Sequence, residues 1–296
     1  MSLLVRNLDD LALDAGVTSG APLPGRGRRA RTLMWLGVAV LVVLGVVVAA
    51  TLVSGSAGDT DLPGRNASPS PDALFGTDRL GRDVLERTLV GLRLSLVVGT
   101  SAALGSGAIA LLLALAAVAG GRVGAAVVTW LVDLFLALPH LVLLILITFA
   151  LGGGTSAVVI AIAVTHWPRL TLVLTAVGRE VAASDHVAIS LALGHGRVHV
   201  ARRHLVPHLL PQLSVGTVLM FPHAILHEAA LSFLGLGIDP GLPAIGVMLA
   251  ESMRSLSAGH WWLAVLPGLA LLVVVKLVDT IGTSIRALAD PRSHHL

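Results

Sequence analysis

Cysteine is absent from the 296 residues, so disulfides, thiolate nucleophiles and zinc–thiolate sites are excluded. Lysine is almost absent too: Lys276 is the only one, and it lies inside an apolar run. A Walker A loop needs a lysine behind a glycine-rich turn to reach the phosphates, so the chain has no P-loop of its own with which to hydrolyse ATP. Charge in general is scarce. Charged residues make up 12% of the chain, against about 25% in soluble domains, and this excludes an ordinary soluble globule.

What fills the chain instead is hydrocarbon. Apolar residues reach 55%, the mean hydropathy is +0.89, and the apolar residues come in blocks. Runs lie at about 33–53, 94–119, 123–151, 156–177, 209–237 and 262–281. Each is long enough for a helix to cross a hydrocarbon core of about 30 Å, and spans without water must satisfy their backbone groups internally. The fold class expected is an all-α membrane protein with about six transmembrane helices. The first run follows a mostly polar stretch and exceeds the apolar region of a signal peptide, so it is expected to remain as an anchor.

Arginine placement orients the spans, because cytoplasmic loops carry the excess of basic residues. With the tail 1–32 inside (Arg6, Arg26, Arg28, Arg29, Arg31), six spans return the C-terminus to the same side, with 293–296 as a short tail. The cytoplasmic segments then carry twelve arginines and the external ones six: Arg65, Arg79, Arg82, Arg87, Arg93 and Arg254. Segments 54–93 and 238–262 are external. The first is rich in Gly, Pro, Ser and Asp, hence in turns, and its five arginines against six acids indicate a folded loop. Trp261 and Trp262 are expected at the membrane interface.

Segment 178–208 is expected to be a cytoplasmic loop, and its LGHGRVHVARRHLVPHLLP stretch (193–211) is the most basic, histidine-rich part of the chain. His195/His199 and His204/His208 are i, i+4 pairs that share a helix face. The arginines among them oppose a dication, so no metal site is assigned there. Without an aromatic residue for base stacking, nucleic-acid binding has thin support, and a basic helix lying on lipid is the bland alternative. Within the spans, Asp133, His166, His223, His227, Glu228, Lys276 and Asp279 are costly in lipid. Asp133, Lys276 and Asp279 are placed near span ends, where they snorkel or pair. His223, His227 and Glu228 are candidates for a translocation path, weighed against plain hydrogen bonding between helices. HAILHE (223–228) has its glutamate after the second histidine, the wrong order for a zinc-protease motif, which leaves an intramembrane metalloprotease as a remote alternative.

Three stretches carry a resemblance. FGTDRLGRDVLERTLVGLRLSLVVG (75–99) resembles the GTDxxGRDvxSRxxxGxRxSLxxG segment of binding-protein-dependent ABC importer permeases for dipeptides, oligopeptides and nickel, and specifically their second-permease (C-type) subunit. Gly76, Thr77, Asp78, Gly81, Arg82, Asp83, Arg87, Gly91, Arg93, Ser95, Leu96 and Gly99 fall in register, with Glu86 in place of the usual serine. HEAALSFLGLGIDPGLPAIGVMLAES (227–252) is similar to that family's fifth helix and the loop after it. Gly194, nine residues and then HLVP (204–207) resemble its cytoplasmic-loop signature, although Ala188, Ile189 and Ser190 stand where the family has Glu-Ala-Ala.

The resemblance, which covers about residues 33–292 with DPR (290–292) near the end, implies a type I ABC importer permease domain. It implies that Gly194, His195, Gly196, Arg197, Arg202, Arg203, His204 and Pro207 form a helix–turn–helix that docks on cytoplasmic ATPase subunits. It implies further partners: a second homologous permease and an extracytoplasmic substrate-binding protein that meets the external loops. ATP and Mg2+ would sit on the ATPase subunits and no cofactor on this chain, which would be no enzyme itself. The setting implied is the bacterial cytoplasmic membrane, crossed several times with both termini inside. Peptides are the leading substrate, and nickel or a metal–metallophore complex is the alternative.

Overall fold

The computed structural model describes residues 26–289. Most of the expected tail 1–32, the DPR motif and residues 293–296 therefore lie outside the described residues. The described residues are helical apart from loops and one isolated antiparallel bridge between Thr77 and Asp83.

The helices are α1 (Arg26–Leu52), α2 (Val84–Ala119), α3 (Gly121–Ala137), α4 (His140–Ala150), α5 (Gly154–Ala182), α6 (Asp185–Ala192), α7 (Arg197–Val200), α8 (Val206–Phe233), α9 (Ile245–Leu256) and α10 (Trp262–Ala289). Five are long and apolar enough to cross a membrane, α7 and α8 counting as one through a π-turn at Ala201–Leu205. The sixth expected span is broken. The run 123–151 forms α3 and α4, bent by 97°, because Leu138 is held extended (ψ 142°) ahead of Pro139, as the residue before a proline prefers.

Two loop boundaries also move. The charged stretch 84–93, expected outside as loop, is the start of α2, capped by the Asp83 carboxylate accepting from the Glu86 N–H at 3.0 Å. The loop expected at 178–208 narrows to 183–196, which itself holds α6, since α5 continues to Ala182 and the helix that runs through the π-turn into α8 already starts at Arg197.

α2 is the central helix and packs along α5 and α8 through small residues. Gly99, Ala103 and Gly107 repeat at four-residue spacing, as do Ser106, Ala110 and Ala114, and all are buried. A Cβ on Gly99 would lie 2.6 Å from the Phe221 ring, and one on Gly107 2.5 Å from Thr217 Oγ1. Lipid tails are as apolar as leucine, so helices associate in a bilayer through such close contact. Around this seam, one apolar cluster joins α2 to α8, α9 and α10, a second joins α2 to α3, α5 and α6, and a third joins α2 to α4, α5 and α8.

Prolines inside the spans are accommodated locally. Pro168 in α5 offers no N–H to the Val164 carbonyl, and the Trp167 indole N–H donates there instead at 2.7 Å. Of the tryptophan pair expected at the interface, Trp261 is exposed, but Trp262 is buried against Gly76.

If contact distance at the α2 seam holds the bundle, Gly107→Leu should lower the stability of the purified protein by about 1–3 kcal/mol. Thermal unfolding in mild detergent would measure this, with Val97→Leu on the exposed side of α2 as the control expected to change little.

Candidate functional site

At one end of the bundle the loop 53–83 and the segment around α9 lock together. Asp78 is the hub. Its carboxylate accepts from the N–H groups of Leu80 (2.8 Å) and Arg82 (3.0 Å), from Arg82 Nε (2.7 Å) and from Arg87 Nη1. Arg87, buried on α2, also reaches Glu251 of α9 at 3.3 Å, and Arg79 and Arg82 approach the same carboxylate at 3.6 and 3.7 Å. Two motif glycines make this geometry possible. Gly76 and Gly81 both have positive φ, and a Cβ on Gly81 would fall 1.7 Å from the Asp61 carbonyl oxygen. Thr77 donates to the Gly64 carbonyl and accepts from the Ala67 N–H at 2.9 Å. Asp78 and Arg82 pair, whereas Asp83 caps the helix. Arg93 is half-buried on α2, without an ion-pair partner among the described residues.

The rest of the motif reaches α8. Ser95 donates to one oxygen of the Glu228 carboxylate and Ser232 donates to the other at 2.9 Å. The Ile238 N–H in turn donates to Ser232 Oγ at 3.2 Å. Glu228 is fully buried. Its two oxygens thus take one hydrogen bond from another helix, α2, and one from within α8. The carbonyl of Pro243 passes over Gly91, where a Cβ would sit 2.4 Å away. Beside this end, a cleft of about 420 Å3 opens between Gly152–Gly154 and Gly235–Pro240.

At the opposite end, α6 is followed by a turn at Gly194 (φ 87°), and Gly196 caps α7. The helix–turn–helix is present, but its second helix is not separate, because α7 runs through the π-turn into α8. Val187, Val200, Leu205 and Leu209 bury this segment against α3 and α5. Gly194, His195, Gly196, Arg197, Arg202, Arg203 and Pro207 are exposed and His204 is half-buried. The histidines pair differently from the sequence reading in one case: His195 and His199 stack with ring centroids 4.1 Å apart, while His204 and His208 each face His186, at 5.5 and 5.7 Å.

Inside the spans, His227 does not pair with His223, which is exposed one turn earlier. It meets His140 and His166, with ring centroids 4.9 and 5.1 Å away, and these two lie 4.6 Å from each other. His140 was missed because the 123–151 run reads as one uninterrupted span, and Pro139 was the available signal. Lys276, expected near a span end, lies at the middle of α10 and donates to Asp279 at 2.8 Å.

Residues 106–294 match the family described as the binding-protein-dependent transport system inner membrane component. A Brucella suis protein named as a peptide permease protein is 38% identical over 238 residues, 79% of this chain and 78% of the relative. Another Brucella suis protein, named as a peptide transport system permease protein, is 32% identical over 265 residues, 90% of this chain and 89% of the relative. The dipeptide transport system permease protein DppC of Bacillus subtilis is 31% identical over 229 residues, 77% of this chain and 71% of the relative.

Burial pushes the Asp78 carboxyl up, but the N–H groups of Leu80 and Arg82, the Arg87 charge and the Arg82 side chain outweigh it and hold it below the ordinary carboxylate range. A carboxyl depressed on folding stabilises the fold above its unfolded pKa and loses that contribution as pH falls through the folded value. Hydrogen exchange of residues 64–83 should therefore stay protected through mild acidification to about pH 5. Arg87→Met removes the buried partner of Asp78 and should cost about 3–5 kcal/mol, with that protection lost. Arg79→Ala, at an exposed pair, should cost no more than about 1 kcal/mol.

Proposed function

The chain belongs to the family of binding-protein-dependent transport system inner membrane components, and from this premise we propose that it imports peptides as one of two permease subunits of an ATP-driven transporter in the bacterial cytoplasmic membrane. It is a multi-pass membrane permease of an ABC importer. The relatives' names, peptide and dipeptide permeases, favour peptides over the nickel alternative. Both termini and the α6–α7 segment lie in the cytoplasm. The ion-paired end, with the loop 53–83 and α9, faces a substrate-binding protein.

One observation carries the docking of ATPases. At the α6–α7 end of the bundle, Ile189, Leu193 and Val198 are 60%, 73% and 81% exposed, on a segment whose other face is anchored by Val187 and Val200. Such residues on a compact, anchored support mark a surface that a protein partner covers. The partner supplies the P-loop that this chain lacks. Movement of the ATPases enters at α6–α7 and passes into α8, which is continuous from Arg197 to Phe233. Alternating access then follows as a shift between two packings, one opened toward the binding protein and one toward the cytoplasm. The bond chemistry of ATP hydrolysis stays on the partner subunits with Mg2+.

The turn at Gly194 has open space around it, so a side chain there would clash with nothing and act only through the positive φ. Gly194→Val should leave membrane insertion intact, with a local strain cost of about 1–3 kcal/mol at the turn. Peptide uptake by cells carrying the variant should fall by about tenfold or more, and the ATPase subunits should no longer co-purify in stoichiometric amounts. Unchanged uptake and unchanged co-purification would remove α6–α7 from the coupling role.

A further inference from the structure

His140, His166 and His227 come from three different elements, the first turn of α4, the middle of α5 and the second half of α8. Each offers a ring nitrogen, and these nitrogens all lie within 4.8 Å of one another. The three residues are half-buried. Three imidazoles converging inside an apolar bundle need a reason, because polar groups there are costly and among the described residues none of the three donates to a carboxylate.

The orientation of His166 is fixed in a way that suits ligation. Its Nδ1 lies 3.0 Å from the Ile162 carbonyl oxygen, which only accepts, so Nδ1 carries the proton. Nε2 is then the lone-pair nitrogen. Metal-bound histidines are commonly fixed by one ring nitrogen donating to a carbonyl or carboxylate while the other ligates. The backbone of α5 is itself pinned there, since the Trp167 indole N–H takes the carbonyl that Pro168 leaves free. Three neutral imidazoles suit a borderline divalent transition metal, which they bind at about 2.0–2.1 Å with a fourth position left open. In a tetrahedral site of that size the nitrogens stand about 3.3 Å apart, so closure requires ring rotations and a movement of roughly 1 Å.

We propose that His140, His166 and His227 form a binding site for one divalent transition-metal ion, which clamps the bent span at α4 to α5 and α8. The fourth position takes water or an anion. Arg169 and His223 are the charged or titratable neighbours that act on the cluster, and no acid contributes. The site is distinct from the histidines of the α6–α8 junction, whose rings belong to the exposed end of the bundle. It also does not depend on the substrate or on the partner subunits.

The test uses the full-length chain with an affinity tag free of histidine, purified in mild detergent and stripped of metal with a chelator. Zn2+ is titrated in competition with a chromophoric chelator. One ion per chain is expected, with His140→Ala and His227→Ala each weakening it by about tenfold or more. Binding should persist when His195, His199, His204 and His208 are all replaced by alanine. Binding unaffected by the first two variants, or abolished by the junction variant alone, would overturn the proposal. X-ray absorption on the wild-type zinc complex guards against variants that misfold. It should show three imidazole nitrogens at about 2.0–2.1 Å, and a shell of oxygens alone would sink the idea. Hydrogen exchange across residues 140–150 should slow on adding Zn2+ to wild type and stay unchanged in His140→Ala. Exchange that does not respond in wild type would remove the clamp.

Discussion

In a hydrocarbon core a leucine gains nothing by moving from lipid to a neighbouring helix, so α2 is held to α5 and α8 by how closely the backbones approach. The small residues from Gly91 to Ala117 set that distance, and the other contacts presuppose it. Ser95 reaches Glu228 only because Gly91 and Gly99 on either side let α8 and the Pro243 carbonyl come close. Arg87 reaches Glu251 because the same approach brings α9 over the start of α2. A buried charge cluster is a poor source of net stability by itself. Its value here is register, since Asp78, Arg87 and Glu251 satisfy one another in only one placement of the loop on α2 and α9.

Much of this was legible in the sequence, and the parts that were not share a cause. The apolar runs gave the spans, and the motif at 75–99 singled out Gly76, Asp78, Gly81 and Arg82, the residues that build the loop's turns and its ion pair. Charge misled at 84–93, where Glu86, Arg87 and Arg93 suggested loop. A helix start bears charge readily when the first turn is capped by Asp83 and its arginine is neutralised from outside. Arg87 is neutralised by Asp78, nine residues earlier, and also by Glu251, which lies 164 residues away and beyond any local pattern. The histidine cluster is hidden for the same reason, with His140, His166 and His227 carried by three separate helices far apart in the chain. Spacing arguments found the i, i+4 histidine pairs, and of these only His195 and His199 stack.

The break at Leu138–Pro139 has a structural consequence for the whole bundle. A straight third span would carry residue 140 deeper along the same axis, whereas a 97° turn lays α4 across α5 and α8. Leu144 is then fully buried with Val158, Ile162 and Leu231, and His140 lands beside His166 and His227. α4 is short, and Leu144 is its buried contribution to that apolar cluster. The proline that spoils the span thereby builds the place where three elements converge.

α8 connects these features mechanically. It begins at the segment that carries Ile189, Leu193 and Val198 on its exposed side, passes Gly216 and Thr217 against α5 and α2, and ends at His227, Glu228 and Ser232. Its lower third contains the π-turn at Ala201–Leu205, with Pro207 and Pro211 just beyond, and each proline removes a backbone hydrogen bond. Helices bend at such places. The upper third is fixed to α2 through Glu228. A displacement at the α6–α7 end is therefore divided between bending near the π-turn and rotation of the rod around the Glu228 anchor. Rotation moves His227 relative to His166 on α5, while bending leaves that distance unchanged. The separation of those two rings thus reports which of the two motions the permease uses.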